Sequence, residues 1–181
     1  GINQQTSYGP DTVGNITSVT TGRLNATGYQ YDASRRVTRI TAPTATCNIT
    51  ENQWQGGLVT KVRLAKICSP NFATDTDWQV WQKAYTPTDQ SDVETDPAGD
   101  TVDTDYDPLD RVEYVRELVG GGSPLRVTRT QYDAAGQVYR QYRGWGTADQ
   151  ITYAEYGYTP DGRQDWFKDA RQNLTDADYD G

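Results

Sequence analysis

The sequence predicts an all-β fold: tandem antiparallel β-hairpins forming a curved ribbon, without helical layers. Three observations carry that prediction. Composition favours strands and turns, with 25 Thr beside few Leu and no Met, and with 20 Asp against 5 Glu. Threonine suits a pleated, half-buried surface, and Asp favours turns where Glu favours helices. Aromatic content is high for so polar a chain: 13 Tyr, 5 Trp and 2 Phe stand in 181 residues of which 34% are hydrophobic. That area suits a folded chain, since disordered segments are poor in aromatics. Finally, a Tyr-Asp motif recurs, and Tyr106, Tyr132 and Tyr158 lie 26 residues apart, which marks a repeat architecture.

The same composition excludes several functions. The net charge of -8 is the opposite of a nucleic-acid footprint. The absence of histidine removes His-based triads, His-metal ligation and a histidine pH switch. No apolar run approaches membrane-spanning length. The length favours one compact domain, or two at most.

Taken in chain order, the frame is Tyr-Asp-x-x-Gly-Arg-Val. Asp11-Thr12-Val13-Gly14-Asn15-Ile16 is a weak copy behind Tyr8. Tyr31-Asp32-Ala33-Ser34-Arg35-Arg36-Val37 matches all but the Gly. Asn52 to Val62 is a degenerate hairpin in which Trp54 replaces Tyr and Gly56-Gly57 make the turn. Residues 73–85 fit two readings: Trp78, Trp81 and Tyr85 suit a helix face, whereas Trp78 and Val80 suit a strand face. The β surroundings favour the strand. Asp96-Pro97-Ala98-Gly99-Asp100-Thr101 lies ten residues before Tyr106, and Asp169 to Thr175 stands in the same relation to Tyr179. Tyr106-Asp107-Pro108-Leu109-Asp110-Arg111-Val112 again lacks the Gly. Leu118 to Pro124 is a Gly-rich hairpin connection without the Lys-Ser/Thr ending of a phosphate loop. Tyr132-Asp133-Ala134-Ala135-Gly136-Gln137-Val138 keeps the Gly, and Tyr158-Thr159-Pro160-Asp161-Gly162-Arg163 keeps Tyr, Gly and Arg. Tyr179-Asp180-Gly181 opens one more copy. Within each unit Tyr ends a strand, the Asp carboxylate accepts the backbone N–H two residues on, and Gly136 and Gly162 supply a positive φ. One hairpin is marginal alone, so neighbours must stack.

Tyr-Asp repeats of this form, with the Asp-Pro-Ala-Gly element between them, resemble RHS/YD-repeat proteins. The resemblance is good over 96–181, fair over 8–42 and weak over about 43–90. It implies long β-hairpin ribbons that spiral into a hollow shell. In bacterial Rhs polymorphic toxins and the related Tc toxin component, that shell encloses a toxic C-terminal segment. Similar shells serve adhesion in teneurins, and YD repeats are associated with carbohydrate binding. The chain is accordingly expected to be a piece of a longer protein and a wall segment of a hollow β-shell, secreted or at the cell surface. It divides into degenerate repeats (1–42), an irregular hairpin insertion with a cysteine pair (43–95) and regular repeats (96–181). Its expected partners are flanking repeats and a C-terminal toxin or effector of the same polypeptide. The alternative is a carbohydrate- or receptor-binding adhesion module.

Candidate sites follow from these two readings. Cys47 and Cys68 are either two buried thiols or a disulfide, and a secreted protein favours the disulfide; it would be worth about 3 kcal/mol. No metal signature fits two Cys and no His, and no cofactor is expected. Tyr31, Asp32, Tyr106, Asp107, Tyr132, Asp133, Gly136, Tyr158, Gly162, Tyr179 and Asp180 are structural motif residues rather than catalytic ones, because they recur at repeat spacing. Asp103, Asp105 and Asp107 point to one side of a strand, either as a calcium site or as a solvated acidic face, and the face is favoured. Arg126, Arg129, Arg140 and Arg143 interleave with Tyr139, Tyr142 and Trp145. They form either cross-strand Tyr/Arg pairs, which are favoured, or a patch for glycans or an acidic partner centred on Arg140, Tyr142 and Trp145. No enzymatic chemistry is expected of the chain.

Overall fold

A computed structural model describes residues 5–22, 25–43 and 48–177. Among them there are strands and turns but no helix. The chain separates into two compact units, Gly1–Ala84 and Tyr85–Gly181.

The first unit contains β1 (Ser7–Pro10), β2 (Ile16–Thr20), β3 (Ala26–Tyr31), β4 (Val37–Thr41), β5 (Ile49–Gln55), β6 (Leu58–Ala65) and β7 (Trp78–Tyr85). Each pairs antiparallel with its chain neighbour. Residues 73–77 are turns and bends, and the strand begins at Trp78. The strand reading of this segment therefore holds, with its start set where the Trp78 N–H closes a turn on the Asp75 carbonyl at 3.1 Å. The degenerate hairpin of Trp54 is β5 and β6, turned at Gly56-Gly57 as expected.

The second unit contains β8 (Ser91–Thr95), β9 (Thr101–Tyr106), β10 (Val112–Leu118), β11 (Pro124–Tyr132), β12 (Val138–Arg143), β13 (Ile151–Tyr158), β14 (Gln164–Asp169) and β15 (Leu174–Asp176). These too pair in strict chain order, all antiparallel. Local connections dominate this topology: the fully described links are short turns, apart from residues 66–77 between β6 and β7, and antiparallel pairing permits short turns where parallel pairing does not.

The hairpins share a register defect. Tyr31 pairs with Val37 while Gln30 pairs with Arg39, so Thr38 is an extra residue on the return strand. The same happens after Tyr132, where Tyr139 is extra, and after Tyr158, where Asp165 is extra. A bulge of this kind increases local right-handed twist. Gly157 allows a close approach in the last of these hairpins: a Cβ there would meet Trp166 Nε1 at 1.9 Å, so the indole lies across the β13 backbone.

The core of each unit is thin. Among the described residues only Ile49, Trp78 and Ala154 are buried apolar side chains, and Glu51 and Arg63 are buried charged ones. Most strand residues are half-buried instead. Lateral contacts between neighbouring strands therefore carry the stability that a two-layer domain would draw from its interior.

Candidate functional site

One five-residue turn occurs eight times among the described residues, beginning at Asp11, Asp32, Thr86, Asp96, Asp107, Asp133, Thr159 and Asp169. In each, the first N–H donates to the fifth carbonyl and the fourth N–H donates back to the first carbonyl, at 2.8 to 3.2 Å. The fourth residue always has positive φ, between 59° and 90°. Glycine occupies that place at Gly14, Gly99, Gly136 and Gly162, but Arg35, Asp89, Asp110 and Gln172 adopt the same conformation. The frame is thus more uniform in structure than in sequence, because a non-glycine residue reaches the left-handed region at a cost of about 1 kcal/mol. The Tyr-Asp and Asp-Pro-Ala-Gly elements also prove to be one local structure.

The side chain of the first residue holds the turn. Asp107 Oδ1 accepts from the N–H of Leu109 at 2.9 Å and of Arg111 at 3.1 Å, and its Oδ2 accepts from Arg111 Nε at 2.7 Å. Asp32 does the same with Ser34 and Arg36. Asp11 and Asp169 substitute an Asn amide for the guanidinium, and Thr86 uses its hydroxyl. These donors keep the carboxyls below the ordinary carboxylate range. The main cause is the side-chain donor for Asp11, Asp107 and Asp169, and the Arg36 N–H for Asp32.

The tyrosine before four of these turns, those at Asp32, Asp107, Asp133 and Thr159, acts as a latch to the preceding hairpin. Tyr31 donates its hydroxyl to the Ile16 carbonyl at 2.7 Å, Tyr106 to Ser91 at 2.7 Å, Tyr132 to Val112 at 2.9 Å and Tyr158 to Val138 at 2.7 Å. Each acceptor stands five residues after the start of the previous turn on the same edge. Trp54 fills the role in the degenerate hairpin, with Nε1 donating to the Val37 carbonyl at 3.0 Å. Burial pushes the Tyr132 and Tyr158 hydroxyls to higher pKa, so they stay protonated donors. The turns are also linked to one another. Arg36 lies 5.3 Å from the Trp54 ring centroid and Arg111 lies 4.2 Å from that of Tyr132. Gln90 donates to the Asp110 carbonyl at 2.7 Å and Gln137 to the Gly162 carbonyl at 2.8 Å.

Among the motif residues singled out from the sequence, Tyr31, Asp32, Tyr106, Asp107, Tyr132, Asp133, Gly136, Tyr158 and Gly162 all sit in these turns and latches. Tyr179 and Asp180 lie outside the described residues. Sequence reasoning missed the turn at Thr86, which falls where the resemblance is weak. Its signal was present, because Tyr85-Thr86-Pro87 repeats the Tyr158-Thr159-Pro160 that the frame did include.

A charged cluster in the first unit was also missed. Arg39, Glu51 and Arg63 are cross-strand neighbours on β4, β5 and β6. Arg39 Nε donates to Glu51 at 2.7 Å, and Arg63 pairs with the other Glu51 oxygen. Residues 66–77 fold over this row. Arg63 binds that loop through the Phe72 and Thr74 carbonyls, each at 3.2 Å, and Asp75 at 3.0 Å. Phe72 stacks on Arg39, and Trp78 on Arg63. Burial works against the charge of Arg63, but Glu51 and Asp75 outweigh it and hold the guanidinium protonated. The alternation that hides this cluster in the sequence is the alternation of any strand. Cys68 lies in the same loop and is not a free thiol; Cys47 lies outside the described residues.

The remaining candidates resolve into cross-strand pairs. Asp103 and Asp105 both face Arg116, the former at 3.2 Å, and Asp107 belongs to its turn. These β9 carboxylates are therefore partly neutralised by Arg116 of β10 while remaining partly exposed to solvent. Arg140 meets Glu155 at 2.6 Å and the Tyr142 hydroxyl at 3.2 Å. Tyr142 and Trp145 pack at a 59° tilt with ring centroids 4.7 Å apart, and Arg129 lies 4.4 Å from the Trp145 ring. Arg143 lies 3.8 Å from the Tyr153 ring. The aromatics of this patch are engaged by neighbouring strands.

No family model matches the chain, and no curated protein matches it. Among solved structures it is similar to one of TcdB2-TccC3-Cdc42, with 16% identity and a TM-score of 0.55, over 99% of this chain and 11% of that one. A Photorhabdus luminescens Tc holotoxin pore aligns at 12% identity with a TM-score of 0.39, over 93% of this chain and 11% of that one. The chain thus spans about a tenth of the length of these structures. The first comparison shows the fold alone: this chain is a ribbon of antiparallel β-hairpins folded like part of the TcdB2-TccC3-Cdc42 structure.

Proposed function

We propose that the chain is a wall segment of an RHS-type shell that encapsulates or delivers a toxin or effector carried on the same polypeptide, secreted or presented at the cell surface, and that it performs no chemistry of its own. The repeat-to-repeat latch carries this reading. Each latch aromatic bonds the hairpin before it, and each unit is a single sheet with almost no interior among its described residues. Such a ribbon gains stability by adding hairpins to its ends, which is the behaviour of a wall. Likeness in fold to TcdB2-TccC3-Cdc42 supports the same reading.

Limited proteolysis of the full-length polypeptide, read by mass spectrometry, tests it. A segment outside the repeats should survive until denaturant opens the ribbon. Digestion of every segment outside the repeats at native-state rates would exclude a container and leave surface binding as the working reading.

A further inference from the structure

Grooves separate successive Tyr-Asp turns along one edge of each unit, with the later latch aromatic as floor. In two of them the chain inserts its own guanidinium. Arg36 Nε sits 2.7 Å from Asp32 Oδ2 with the guanidinium 5.3 Å from the Trp54 centroid. Arg111 Nε sits 2.7 Å from Asp107 Oδ2 with the guanidinium 4.2 Å from Tyr132. Arg111 also reaches the next turn, where its Nη1 would stand 3.4 Å from a Cβ on Gly136. The groove that Arg111 fills therefore has three parts: a turn carboxylate, an aromatic ring and the backbone of the following turn.

The groove between the turns at Asp133 and Thr159 has the same parts and no cation. Its fifth turn residue is Gln137, whose amide bonds the Gly162 carbonyl at 2.8 Å and so reaches the place that Arg111 reaches one repeat earlier. An amide is uncharged, and Asp133 Oδ2 has no hydrogen-bond partner among the described residues, while Oδ1 accepts from the Gln137 N–H. The groove holds about 670 Å³ and is lined by Asp133, Tyr139, Tyr156 and Tyr158. The turn at Thr86 also has a Gln in fifth place, but its first residue offers no carboxylate.

We propose that the groove between the turns at Asp133 and Thr159 receives an arginine side chain from another polypeptide segment, its guanidinium donating to Asp133 Oδ2 and stacking on Tyr158. A planar guanidinium satisfies carboxylate and ring together, which an ammonium does not. The groove is larger than a guanidinium, so residues beside the arginine have room in it. A groove of about 750 Å³ between the turns at Asp11 and Asp32 is a built-in control. Its floor is Tyr31, but the Asn15 amide already occupies Asp11 Oδ2 at 2.9 Å. This inference does not depend on the shell reading.

The test is a ¹H–¹⁵N titration of the 181-residue chain with an acetylated, amidated Gly-Ala-Arg-Ala-Gly peptide. Saturable shifts are expected at Gly136, Gln137 and Gly162 and none at Gly14. The lysine analogue should bind roughly fivefold more weakly. Asp133→Asn should weaken binding about tenfold, the loss of one charge-assisted hydrogen bond. Gln137→Arg should abolish it by filling the groove from within, as Arg111 does, and this variant keeps the test decisive if Asp133→Asn folds poorly. Equal binding of the lysine peptide, or shifts unchanged in both variants, would overturn the proposal. Methylguanidinium binding as tightly as the peptide would overturn a polypeptide as the occupant.

Discussion

Removal of a single latch hydroxyl tests whether the hairpins are held by these side chains or only by their strand ladders. Tyr132→Phe deletes the hydroxyl that donates to Val112 at 2.9 Å and leaves the ring, with Arg111 still 4.2 Å from its centroid. Loss of an ordinary hydrogen bond costs about 1 kcal/mol, and a stranded buried acceptor raises the cost to 1–3 kcal/mol. The Val112 carbonyl lies in a half-buried residue, so water can partly replace the phenol. The expected loss is therefore about 1 to 1.5 kcal/mol. In a unit the size of Tyr85–Gly181 that corresponds to a fall in Tm of about 4 to 8 °C. Calorimetry and urea unfolding of the wild-type chain and the variant measure it, with an unchanged m-value showing that native compactness is kept. Tyr158→Phe should cost the same, and the double variant measures their coupling, since Val138 both accepts from Tyr158 and pairs with Tyr132 across the ladder. Tyr132→Leu should cost more, because the ring and its contact with Arg111 go as well. A change for Tyr132→Phe below about 0.3 kcal/mol would refute the latch as a source of stability.

Three further outcomes are expected. Glu51→Gln should destabilise the first unit by about 3 kcal/mol, because Arg63 would remain buried without its main counter-ion; Trp78 fluorescence during denaturation reports it, and a near-neutral result would place the network outside the stability of the fold. The carboxyls of Asp11, Asp32, Asp107 and Asp169 have folded pKa values below their unfolded ones, so their stabilisation is complete above about pH 4 and is lost as pH falls through the folded values. Acid titration of Tm should show that loss, and Asp107→Asn should be less stable at neutral pH yet lose less on acidification. Gly162→Ala places an L residue at φ 86° and should cost about 1 kcal/mol, whereas Arg35→Gly, at φ 61°, should gain up to about 1 kcal/mol. No change in stability for either variant would show that these turns are not strained at their fourth position.

Much of the hairpin ribbon was legible before any coordinate. The turns are local structures: an Asp oxygen reaches N–H groups two and four residues on, and those groups are adjacent in the chain whatever surrounds them. The strand alternation and the replacement of Tyr by Trp54 could be read for the same reason. Where the motif lost its glycine, at Arg35 and Asp110, the sequence looked irregular although the backbone is not, because left-handed φ is costly for those residues but not forbidden. The Thr86 turn escaped notice because it lies in the stretch where the Tyr-Asp frame is otherwise broken, although its Tyr-Thr-Pro matches the copy at Tyr158.

Composition and spacing by themselves determined that the chain is all β, built of tandem hairpins, and joined by Asp- and Gly-bearing turns. The tertiary structure alone decided what each motif side chain touches. The tyrosine hydroxyls bond carbonyls 15 to 20 residues away. Arg63 and Glu51 become a buried pair because the loop before Trp78 covers them. Asp103 and Asp105 meet Arg116 across a ladder whose register is set by a bulge. Local hydrogen bonds depend on sequence separations that repeat, so a sequence displays them. Lateral contacts depend on register and on how a loop folds back, and those are settled only when neighbouring strands are in place.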